Sequence, residues 1–220
     1  KENEEQKLLS IKDESLISSK WHQSGNKIII GTLNNEGYQC LEFDIDTRRV
    51  TRVDAGEYQI SHCIYHPNNS IYAITKHLND KSQIIEILPD NSTNILTTEG
   101  ATSISLLPDE RLIYTKPNSN GLNVISDKGE FIELILPDFP SYLAEHWTIS
   151  NNHVFYANHN KEQKGTWKYN LTTKQEVQVS LSLSTAIGNS MAVSPDETKL
   201  IITKLDKVES DIYIYKSHLD

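Results

Sequence analysis

Ser194-Pro195-Asp196-Glu197-Thr198-Lys199-Leu200-Ile201-Ile202-Thr203 runs from a tight-turn sequence straight into a short apolar strand. The same order, Pro, Asp, Asn or Gly followed by an apolar run, recurs at Gln23 (QSGNKIIIGT), Pro67 (PNNSIYAIT), Pro108 (PDERLIYTK) and Ser150 (SNNHVFYA). These residue types fix the backbone angles of tight β connections. The first apolar residues after the five turns, Ile28, Ile71, Leu112, Val154 and Leu200, are spaced 43, 41, 42 and 46 residues apart. A fixed period of that length is the mark of a repeat array.

Working outward from each turn completes the unit. A strand precedes it, with Trp21, Trp147 and Val193 each seven residues ahead of the anchor. A third strand follows at Tyr38, Ser82, Gly121, Gly165 and Ser210. A fourth follows in four repeats, at Arg49, Thr93, Phe131 and Gln175, and the fifth repeat lacks one. Apolar residues nowhere recur at helical spacing, so the expectation is an all-β chain with almost no helix. Each four-stranded sheet has two apolar faces, and stacking the sheets around an axis buries both. The predicted architecture is therefore one β-propeller domain over residues 1–220, of about five four-stranded antiparallel blades. Their spans are 17–57, 58–99, 100–141, 142–185 and 186–220, with residues 6–11 supplying the outer strand that the last blade lacks. The rival arrangement makes the chain part of a larger propeller, and a β-sandwich is disfavoured because sandwich strands do not repeat a turn and anchor at constant spacing.

Charge and composition narrow the function. Lys+Arg 21 against Asp+Glu 30 gives a net charge of -9, which repels phosphate backbones, so no direct nucleic-acid contact is expected of this segment. No run approaches the roughly 18 apolar residues that span a bilayer. Cys40 and Cys63 leave open one disulfide or two buried thiols, and the thiols are the preferred reading.

Catalytic chemistry lacks parts in the sequence. The nearest string to a nucleophile elbow, Gly188-Asn189-Ser190-Met191-Ala192, has no second Gly. There is no phosphate-cradling loop, His-Glu-x-x-His, EF-hand loop or Cys-x-x-Cys pair. The expectation is a protein that is not an enzyme, without cofactor, metal or catalytic residues. His22, His62, His66 and His146 fall on or beside predicted innermost strands, where they could meet a ligand in a central channel. His62 and His66 are four residues apart in a strand, ~13 Å at about 3.3 Å per residue, too far to chelate one ion together. Asp44, Asp46, Asp206, Glu209 and Asp211 read as solvated loop charge. The sequons at Asn68, Asn91 and Asn170 receive no role, and Trp21 and Trp147 read as equivalent core residues between blades.

The Ser194 to Thr203 stretch resembles the "SPDGK-apolar" signature of TolB-like propeller repeats, with Glu197 where Gly is usual. The order His146-Trp-Thr-Ile-Ser, Gly165-Thr-Trp-Lys-Tyr, Met191-Ala-Val-Ser-Pro-Asp and Lys207-Val-Glu-Ser-Asp-Ile-Tyr-Ile-Tyr resembles the C-terminal propeller of CadC-type winged-helix regulators. That resemblance implies a sensory or interaction domain outside the cytoplasmic membrane, in the periplasm. It would bind a protein or small-molecule ligand on a propeller face and modulate an upstream DNA-binding domain, with membrane contact only through an upstream transmembrane helix. Prolyl oligopeptidases and TolB carry similar repeats, so a substrate-gating propeller of a hydrolase and a periplasmic scaffold are the alternatives.

Overall fold

The computed structural model describes residues 14–76, 81–158, 164–180, 191–194, 196–206 and 209–216. The segment at 6–11 and most of the Gly188 to Ala192 string lie outside the described residues. Five antiparallel sheets follow one another along the chain, each made of consecutive strands in simple order. The first is β1 (Ser15–Trp21), β2 (Lys27–Asn34), β3 (Gly37–Asp44) and β4 (Val50–Arg52). The second is β5 (Ile60–Tyr65), β6 (Ile71–Thr75), β7 (Ile84–Ile87) and β8 (Thr93–Ile95). The third is β9 (Ser103–Leu106), β10 (Leu112–Thr115), β11 (Leu122–Ile125) and β12 (Phe131–Ile135). The fourth is β13 (Trp147–Ser150), β14 (His153–Asn158), β15 (Gly165–Asn170) and β16 (Glu176–Ser180). The fifth comprises, among the described residues, β17 (Met191–Val193), β18 (Lys199–Asp206) and β19 (Glu209–Lys216). Helix is confined there to a single 3-10 turn at Ser141–Leu143.

The repeated turn sets the register of every sheet. Four anchors pair with the residue that ends the preceding strand, Ile28 with Trp21, Ile71 with Tyr65, Leu112 with Leu106 and Leu200 with Val193, while Val154 pairs with Ile149, one residue before the end of β13. Four of the turns share one hydrogen bond, in which the fourth turn residue donates to the carbonyl of the first. The pairs are Gly25 to His22, Asn69 to His66, Glu110 to Leu107 and Glu197 to Ser194. The Asp or Asn in the third position is locked by accepting the backbone N–H two residues on, as at Asn68, Asp109 and Asp196. Ser194 and Thr198 also donate to Asp196, holding its carboxyl down at about 2. The fourth position has φ of +76° at Gly25, +68° at Asn69, +68° at Glu110 and +56° at Glu197. This left-handed geometry is why glycine is the usual residue there, and why a glutamate is strained.

Contacts divide the chain into two compact units, residues 1–80 with 84–94 and residues 81–83 with 95–220. In the first, Ile29 of the first sheet and Ile60, Ala73 and Ile85 of the second bury against one another around Cys40 and Cys63. The two cysteines form a disulfide, with Cα atoms 6.4 Å apart. This corrects the expectation of two thiols. The cause is a bulge in β5 between Ser61 and Ile64, which displaces Cys63 from the simple alternation of the strand. In the second unit, one face of the third sheet (Ile113, Leu122, Val124, Ile135) packs on Trp147, Val154 and Tyr156 of the fourth. The fourth sheet's other face meets the fifth through Phe155, Ala157, Met191 and Leu200.

Trp21 departs from its predicted role. It is 60% exposed, whereas Trp147 is 4% exposed and donates its indole N–H to the Ala144 carbonyl at 2.8 Å. The shared seven-residue offset spans turns of different length, residues 22–26 in the first sheet and 151–152 in the fourth. Trp21 therefore ends its strand opposite the anchor, while Trp147 lies two residues further in, opposite Tyr156.

The turn geometry makes a direct prediction. Glu110 is exposed and held at positive φ, so Glu110→Gly gains about 1 kcal/mol in urea unfolding by releasing left-handed strain. A destabilised variant would show that the side chain contributes more than its backbone angle costs.

Candidate functional site

The four histidines divide by position. His22 and His66 are the first residues of equivalent turns, each accepting a backbone N–H on its Nδ1, from Ser24 at 3.1 Å and from Asn68 at 3.4 Å. Their rings stand edge-on to aromatic neighbours, His22 on Tyr65 at 4.7 Å and His66 on Tyr72 at 5.1 Å. His146 precedes β13 in the other unit, where its backbone bonds to Leu143 and Ala157. Only His62 lies within the first strand of a sheet. Among the described residues no three His, Cys, Asp or Glu side chains converge as a metal site.

His62 sits at the β5 bulge with φ +51° and is 7% exposed. A non-glycine residue in that region is a strained element of the kind concentrated at working sites. Across from it, Ser18 and Lys20 on β1 pair with Gly31 and Ile29 on β2, so all four present to one face. Gly31 lets the second sheet approach: a Cβ there would lie 3.4 Å from the His62 backbone nitrogen and 2.6 Å from the Ser18 hydroxyl. That hydroxyl is itself buried without a hydrogen-bond partner. The His62 Nδ1 lies 3.1 Å from the Ser61 hydroxyl. Burial first, then the charges of Lys76 and Lys20, push its imidazole down to about 4. Lys20 is exposed as a residue, but its ammonium is crowded by protein, and this desolvation lowers its pKa. Lys76 extends from the end of β6 over the ring of Tyr38, 5.8 Å from its centroid. The charges of Lys20 and Lys76 both bear on this imidazole, so the local field is positive although the chain carries a net charge of -9.

Below this site Tyr65 donates to Glu42 at 3.0 Å while Lys27 donates to the other carboxylate oxygen at 2.8 Å. Burial, with the Glu42 charge adding to it, raises the Tyr65 hydroxyl, which stays a donor. The network braces the first sheet on the second.

A second polar cluster joins the fourth sheet to the fifth. Glu197 accepts from Lys168 at 2.6 Å and lies 3.0 Å from His153 Nδ1, with Asn151 donating at 3.4 Å. His153 Nε2 is held 3.0 Å from the Asn170 side chain. Burial works to raise the Glu197 carboxyl, but bonds from Lys168 and His153 outweigh it and the pKa is lowered. Glu197 occupies the strained turn position described above, and its partners compensate for that strain. The cluster is a brace.

Sequence reasoning singled out His62 but missed Ser18, Lys20 and Lys76. Isolated lysines and serines on strands carry no pattern, and the bulge that gathers them is a tertiary feature. Glu197 had a signal, its departure from glycine in a repeated turn.

No protein-family model matches this sequence, and no curated protein matches it. Solved structures do. TolB from Acinetobacter baumannii superposes with a TM-score of 0.76 at 14% identity, covering 95% of this chain and 53% of that one. A structure assigned as TolB from Agrobacterium tumefaciens gives 0.67 at 13%, covering 92% and 77%. Oligogalacturonate lyase in complex with manganese gives 0.63 at 11%, covering 96% and 67%. The chain thus has the TolB-like β-propeller fold, built of four-stranded antiparallel sheets, and spans about half the length of the Acinetobacter TolB structure. At these identities the likeness is one of fold, shared by scaffolds and enzymes alike.

The buried imidazole sets a pH dependence. His62 is neutral when folded down to about 4, against 6.5 when unfolded. Its stabilisation is complete above 6.5 and is lost as pH falls toward 4, because only the unfolded chain takes the proton there. From pH 7 to 5 this removes about 2 kcal/mol of unfolding free energy. His62→Asn, which tolerates positive φ, loses that much less over the same interval. Equal losses in both proteins would show that His62 does not titrate as its burial requires.

Proposed function

We propose that this chain is a non-catalytic, extracytoplasmic binding module that senses a ligand or partner protein and modulates a DNA-binding domain encoded upstream. The observation that carries the compartment is the buried Cys40–Cys63 disulfide. Such cross-links persist in oxidising surroundings and are rare in the cytosol. The TolB-like fold and the resemblance of residues 146–215 to CadC-type propellers point the same way. Binding falls to the His62 face, where Lys20, Lys76 and the imidazole favour an anionic group such as a carboxylate.

Among the described residues no helix is long and apolar enough to cross a membrane. In this reading membrane attachment is through an upstream segment, as the CadC-type resemblance implies.

In-frame removal of the propeller from its gene tests the reading against the hydrolase alternative. A small, discrete set of transcripts should lose its regulation by several-fold while peptide hydrolysis by the cells is unchanged. Unaltered transcripts would refute the sensory role, and a loss of peptidase activity would favour a gating propeller.

A further inference from the structure

The third sheet carries a cavity of about 640 Å³. Its volume is within the range of small-molecule pockets. The register explains its lining. Tyr114, Asn123 and Leu134 pair in a row across β10, β11 and β12, and Leu112, Ile125 and Phe131 form the next row on the same face. The facing wall is the segment from Leu96 to Glu99. Gly129 closes one end, at φ +81°, so near the Leu96 carbonyl that a Cβ would collide with it.

Three features define what fits. First, the walls are mixed: the sheet side offers Ile125, Phe131 and Leu134, with Phe131 and Leu134 61% and 46% exposed at the outer strand, and the facing segment offers Thr97 and Thr98. Second, Asn123 is 5% exposed and its Nδ2 has no hydrogen-bond partner. An unpaired buried donor is costly to the folded state, and an entering acceptor recovers that cost. Third, the charges at the rim cancel, since Lys116 and Glu99 pair at 2.5 Å. The Tyr114 hydroxyl, whose pKa burial raises, accepts from the Lys116 ammonium.

We propose that this cavity is a binding site for a neutral, flat, largely apolar molecule carrying a carbonyl oxygen, which Asn123 recognises while Phe131, Leu134 and Ile125 hold the ring. Charged ligands are disfavoured because the ion pair at the rim is already satisfied.

The test is titration of the intact 220-residue chain, labelled with ¹⁵N, with acetophenone and with ethylbenzene, which has a similar shape and no acceptor. Acetophenone should shift the Asn123 side-chain amide saturably and bind about tenfold tighter than ethylbenzene. Asn123→Leu should erase that preference. Phe131→Ala, at an exposed position, should weaken both ligands alike and leave the thermal midpoint unchanged, so the proposal is testable even if Asn123→Leu does not fold. Absence of a saturable shift, equal affinity for the two compounds, or unaltered binding in Phe131→Ala would overturn it.

Discussion

Burial of both faces of each small sheet is the constraint on which the rest of the structure depends. Strands of three to eight residues in four-stranded sheets cannot hold together alone in water, because one face at least would stay wet. Here the fourth sheet is covered twice, by the third through Trp147, Val154 and Tyr156 and by the fifth through Phe155 and Ala157. Alternation along β14 sends Val154 and Tyr156 one way and Phe155 and Ala157 the other. Consequently β14 has no polar face, and His153 at its start is drawn into the Glu197 cluster instead.

Function enters where this regular scheme is interrupted. The β5 bulge breaks alternation at one point, and three consequences follow from it. Cys63 pairs with Cys40, His62 is forced to positive φ, and the backbone of the second sheet comes against Gly31. The disulfide closes a loop of 23 residues, which restricts the unfolded chain by roughly 3 kcal/mol on the chain-entropy account. That restriction helps offset the strain at His62 and the burial of the unpartnered Ser18 hydroxyl.

Much of the fold was legible because it is written in local chemistry. Pro, Asp, Asn and Gly in the turns, and the anchors Ile28, Ile71, Leu112, Val154 and Leu200, mark the same register that the sheets adopt. The outer strands at Val50, Thr93, Phe131 and Glu176 also followed from spacing. The misreading of Trp21 came from treating a constant offset as a constant register, although the turns differ in length. The disulfide was not legible, since Cys63 reaches Cys40 only through the bulge. His22 and His66 occupy equivalent turn positions, whereas His62 lies on the bulge itself. The cavity beside Asn123 depends on which residues share a row across three strands, information that exists only once the sheet is paired.

The most direct test of the stacking account is a double-mutant cycle between the third and fourth sheets. Phe139, just after the third sheet, and Tyr156 on β14 meet edge to face with ring centroids 5.7 Å apart. If burial between neighbouring sheets holds the fold, Phe139→Leu and Tyr156→Leu will show a coupling of about 1 kcal/mol in urea unfolding. Additivity of the two single effects to within about 0.3 kcal/mol would contradict it.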